Sequence, residues 1–167
     1  MFDLSAILFA LDMLTKAFKV AKGEADLYAN EDYQRLGEAL ESLHFGENGV
    51  LPILRTLAEG REIPEDAVER IYGFQPTDPD VSEALARVMD AVADREKLSL
   101  ANREKLRALS KAKTGIRWNI SRFAEKELHS KGIAKRKDIA RLVSRIEKFN
   151  EAIEEFEQKL RQRKAIQ

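Results

Sequence analysis

The chain has no cysteine, which excludes disulfides, thiolate nucleophiles and thiolate metal ligation, and fits a reducing compartment. Only two histidines are present, His44 and His129, so acid–base or metal chemistry has few routes. No phosphate loop, dinucleotide fingerprint, nucleophile elbow or zinc spacing occurs. The longest apolar run, Leu4 to Leu11, is interrupted by Ser5, is followed by Asp12, and is too short to span a bilayer. Met1-Phe2-Asp3 carries no basic region of the kind that opens a secretory leader. A soluble, cytoplasmic protein is expected. Aromatic residues make up 7% of the chain and charged residues 35%, the balance of solvent-laced helices rather than sheets.

What the chain does have is a seam. Ile139, Leu142, Ile146, Phe149, Ile153, Phe156 and Leu160 recur at alternating spacings of three and four, a heptad stripe that no strand can bury on one face. Leu106, Leu109, Ile116, Ile120 and Phe123 keep the same spacing upstream, with Lys113 in the one missing position. Folding the chain back at Lys131, beside Gly132, sets Phe123 against Ile139, Ile120 against Leu142, Ile116 against Ile146 and Lys113 opposite Phe149. The spacing therefore predicts a coiled-coil-like antiparallel hairpin with legs at about 101–130 and 134–165.

Shorter helices precede it. Leu4, Ile7, Leu8, Leu11, Leu14, Phe18 and Ala21 make a first stripe, capped by Asp3 and widened by Phe9 and Met13, which predicts a central bundle helix. Asn30 opens a second helix with Tyr33, Leu36, Leu40 and Leu43 inward, closed by Gly46. A third covers about 49–59, with Pro52 in its first turn, Leu51, Leu54 and Leu57 as its stripe, and Gly60 as its stop. Pro64 opens a fourth through Val68 and Ile71 to Gly73, and Asp78-Pro79 starts the next, with Val81, Leu85, Val88, Met89 and Val92 apolar. That register continues into the hairpin, with a break expected near Leu98-Ser99-Leu100 and Ser99 as a cap. The reading is all-α: an N-terminal bundle of short helices over 1–75, then a long helical hairpin over 76–167, packed as one unit.

Net charge is zero, but unevenly shared. Residues 1–75 hold 7 Lys/Arg against 14 Asp/Glu, and residues 76–167 hold 22 against 15. Lys131, Lys135, Arg136, Lys137, Arg141, Arg145 and Lys148 mark one leg and the tip of the hairpin; Arg103, Lys105, Arg107, Lys111, Arg117 and Arg122 line the other. Such a face suits an acidic protein neighbour, the acidic half of another copy, or the phosphates of a nucleic acid. Trp118 lies off the hairpin seam, either against the N-terminal bundle or as an interface anchor.

Glu41 and His44 stand one turn apart, as do Glu125 and His129, but the paired Glu-x-x-His of a di-iron bundle is absent. Surface ion pairs are expected there, with no metal or cofactor. Arg122 and His129 share a helix face two turns apart, and this pair resembles the Arg and His motif of HEPN-type ribonucleases. The resemblance covers those two residues and implies an all-helical protein with its site built across a dimer, Arg122 and His129 acting on the phosphate and the 2′-hydroxyl. Three functions are thus expected in order: a non-enzymatic module that binds protein partners or itself, a nucleic-acid-binding helical protein, and a helical ribonuclease.

Overall fold

The seam finds its burial. Ile139, Leu142, Ile146, Phe149, Ile153 and Phe156 are all about 1% exposed or less in a computed structural model of the protein. That structure describes residues 4–24, 44–72, 90, 93–94, 97–111, 115–129 and 135–164, and among them it is all-α with no strand. Its helices are α1 (Leu4–Glu24), α2 (Val50–Glu59), α3 (Ala67–Tyr72), α4 (Leu100–Lys111), α5 (Gly115–His129) and α6 (Arg136–Lys164). At ~1.5 Å per residue α6 is about 43 Å long. No described helix is long and apolar enough to cross a membrane. The helix expected after Asn30, the helix start at Asp78-Pro79 with its apolar face from Val81 to Val92, and the turn at Lys131-Gly132 lie outside the described residues. So do Lys113 and the side chains of Leu109 and Leu160.

The partner of the seam differs from the expected one. α6 lies chiefly against α1 and α2, while α5 packs on α1, α2, α3 and α4; α5 and α6 are not among the closely packed pairs. The physical reason is the quality of the competing face. α1 offers Ile7, Leu11, Leu14 and Phe18, all fully buried, and the Phe18 ring sits 5.8 Å from Phe149 and 6.2 Å from Phe156. Burying each of those rings is worth roughly 1.5–3 kcal/mol, with the ring–ring contacts adding to it. Polar ties reinforce the choice: Arg145 reaches Asp12 at 2.9 Å, Lys22 pairs with Glu155, and the Lys159 ammonium donates to the Lys22 carbonyl at 2.7 Å in the last turn of α1. Arg55 of α2 donates to Glu147 of α6 at 3.0 Å.

The upstream leg is also two helices rather than one. α4 is described as far as Lys111 and α5 from Gly115, whose φ of +66° is left-handed and interrupts a continuous helix there. The break expected near Ser99 is present: Lys97 has φ +48°, and the Asn102 N–H donates to Ser99 Oγ at 3.4 Å. Gly60 closes α2 in the left-handed region (φ 67°, ψ 29°), its N–H on the Leu57 carbonyl. Pro64 sits just ahead of α3 rather than inside it, accepting from the Ala67 N–H at 3.1 Å. α3 then buries Ala67 and Ile71 and leaves Val68 43% exposed.

Candidate interaction face

α3 packs on α5, and two hydrogen bonds tie them together. The Ser121 hydroxyl, fully buried, donates to the Ile71 carbonyl at 3.2 Å. The Tyr72 hydroxyl donates to Glu125 Oε2. Burial first, and then that hydrogen bond, hold the Tyr72 phenol above its ordinary pKa.

Above this joint the side chains stack. The Tyr72 and Trp118 rings lie 5.7 Å apart at 55°, and the Arg122 guanidinium stands 5.6 Å from the Trp118 ring centroid. Arg122 also reaches Glu125 at 3.6 Å, so one carboxylate orients both the phenol and the guanidinium. The helical period explains the set: 118, 122, 125 and 129 fall on one face of α5. Tyr72 and Trp118 are half-buried and the Arg122 side chain is 62% exposed, a stack ordered from beneath and open from above.

Arg122 and His129 both turn to Glu125, Arg122 to its carboxylate and His129 to its backbone carbonyl, which accepts from Nδ1 at 2.8 Å. The carbonyl can only accept, so Nδ1 carries the proton. His44 pairs with Glu154 at 2.9 Å, and Glu41 lies outside the described residues. Among the described residues no group of three His, Asp or Glu side chains is arranged to hold a metal ion.

The basic residues are dispersed over several tasks. Lys135 pairs at 3.3 Å with Glu127, whose side chain is 1% exposed. Arg136 lies over Gly60 at the α2 C-terminus, where a guanidinium faces the negative end of the helix. Arg141 faces Asp138 at 3.7 Å, and Arg145 crosses to Asp12. Lys137 and Lys148 are exposed, and Lys131 lies outside the described residues.

On the other leg, Arg103 donates to the Leu98 and Ala93 carbonyls at 3.1 Å each and pairs with Asp94, clasping the chain before α4. Arg107 reaches Asp90 at 3.3 Å. Arg117 lies over the Phe45 ring at 5.4 Å, and burial lowers its pKa. Lys105 is exposed, and the Lys111 side chain is outside the described set. Sequence reasoning missed Tyr72 as the partner of both Trp118 and Glu125. Its spacing carries no signal, because α3 reaches α5 from more than forty positions away.

Sequence and structure comparisons do not add a relative: no protein-family model, curated protein or solved structure matches the chain.

Proposed function

We propose that the protein is a non-enzymatic helical interaction module that binds a protein partner through the face formed by α3 and α5. One observation carries this reading, the Tyr72–Trp118–Arg122 stack. Tyr, Trp and Arg are the side chains most enriched where binding energy concentrates, and here each is oriented before any partner arrives. Immobilising such side chains normally costs about 0.5–1.5 kcal/mol apiece on association, a cost this stack has largely met on folding. The test is capture by chemical cross-linking with the wild-type chain and with Trp118→Ala and Arg122→Ala. Captured protein, including a second copy, is expected to disappear in both variants while their helical circular dichroism is retained. A strictly monomeric chain with the same captured set in all three would defeat the reading.

A second reading has its own support. Lys137, Arg141 and Lys148 stand on the exposed side of α6 at positions i, i+4 and i+11, one continuous stripe. Such a stripe suits sequence-independent phosphate contact. Labelled RNA and DNA followed by fluorescence anisotropy test it: binding that falls steeply with salt, and vanishes when these three become Glu, supports it. No binding at low salt removes it.

A further inference from the structure

The face that holds the stack is divided by charge. On the α3 side, Glu65, Asp66 and Glu69 are exposed, and Arg70 is the only cation on that helix. On the α5 side, Arg122 and Lys126 are exposed, while the Glu125 carboxylate is occupied by Tyr72 and Arg122. The apolar groups of the same face are Val68, 43% exposed and one turn before Tyr72 on α3, and Trp118, against which Tyr72 stacks. An acidic set at α3, apolar groups at the joint and a basic set on α5 thus make up the face.

We infer that the partner of this face is a second copy of the chain, related by a two-fold axis near Tyr72 that lays the acidic edge of each copy on the basic edge of the other. The inference rests on the reading of the α3–α5 face as a protein-binding face, and it names the occupant. A two-fold axis brings a patch onto itself, so the patch must be its own complement. A face with one sign of charge throughout repels its copy; a face with both signs about an apolar joint pairs both sets at once and brings the apolar groups together. The apolar centre is small and the edges are open to water, so the contact is of the weak, salt-sensitive class rather than an obligate dimer.

Sedimentation equilibrium of the full chain, from roughly one to a hundred micromolar, tests this. The wild type is expected to approach twice its monomer mass at low salt, with the dissociation constant rising by about tenfold or more at high salt. Arg122→Glu with Lys126→Glu in one chain, and Glu65→Lys with Glu69→Lys in another, are each expected to be monomeric. Mixed in equal amounts they are expected to form the dimer again, because each copy then meets the opposite charge at both edges. A monomeric wild type, a variant as dimeric as the wild type, or a mixture that stays monomeric each overturns the pairing. Trp118, the only tryptophan in the chain, gives a check without mutation: its emission must shift as the wild type is diluted, and constancy overturns the proposal. If the wild type is monomeric yet Trp118→Ala still abolishes capture of another protein, self-pairing fails alone and the interaction reading stands.

Discussion

Asn150 holds Phe45 by both of its backbone groups. The carboxamide oxygen accepts from the Phe45 N–H at 2.9 Å, and the carboxamide nitrogen donates to the Phe45 carbonyl at 2.9 Å. Both residues are buried, and the Phe45 ring packs 6.2 Å from Phe149. A helix side chain thus supplies the donor and acceptor that a neighbouring strand would otherwise give. Asn150→Ala leaves two buried backbone groups without these partners, and is expected to cost about 2–4 kcal/mol in urea unfolding. A loss below half a kcal/mol would mean that the segment at Phe45 is held by its ring alone.

Glu127 and Lys135 form a lopsided pair, the carboxylate buried and the ammonium 51% exposed. Lys135→Met removes a counter-charge from a buried acid and is expected to cost about 1–3 kcal/mol. Adding Glu127→Gln to that variant should recover part of the loss. A double-mutant cycle by thermal unfolding measures the coupling, and additivity of the two changes would show that the carboxylate does not depend on Lys135.

Gly60→Ala is expected to cost about 1 kcal/mol, because φ is +67° and the new methyl meets the Arg136 guanidinium. The guanidinium is the far end of a flexible chain and can swing away, so Arg136→Ala should relieve only a small part of the loss. Gly115→Ala, with the same sign of φ and open space around it, isolates the backbone cost. Urea denaturation of the three variants separates strain from crowding.

Tyr72 links stability to alkaline pH. Its folded pKa is raised, so its contribution is fully present below the ordinary phenol value of about 10 and is lost as pH climbs through the higher folded value. The tyrosinate that forms lies 5.7 Å from Trp118 and quenches its emission. A fluorescence titration is expected to show a transition above pH ~10 that Tyr72→Phe removes. A transition unchanged in that variant would place the raised phenol elsewhere.

Where local chemistry decides, the sequence was a good guide. The heptad stripe of α6, the Gly60 stop and the Ser99 cap all follow from side-chain periodicity or backbone conformation, and the structure has each of them. Pairing was harder to read. Two stripes that share a heptad match in register whenever the turn falls midway, so the symmetry about Lys131 reflects a shared period and does not by itself establish a contact. The structure lays α6 chiefly on α1 and α2, a tertiary choice that spacing does not contain. Gly115 was the local signal overlooked, a lone glycine inside a helical pattern. At the candidate face Trp118 and Arg122 could be placed on one side of α5, but Tyr72 arrives by tertiary packing.

The embrace of α1 by α6 has a consequence for synthesis. The chain grows from α1 onward, yet its main cover, α6, begins at Arg136, so more than a hundred residues must be added before that cover exists. At roughly 5–20 residues per second this is a delay of about 6–20 s. Throughout it, the faces of Phe18 and Leu14 that α6 later buries stay open to water or to a chaperone. α1 therefore waits for α6, and their closure is a late, long-range event.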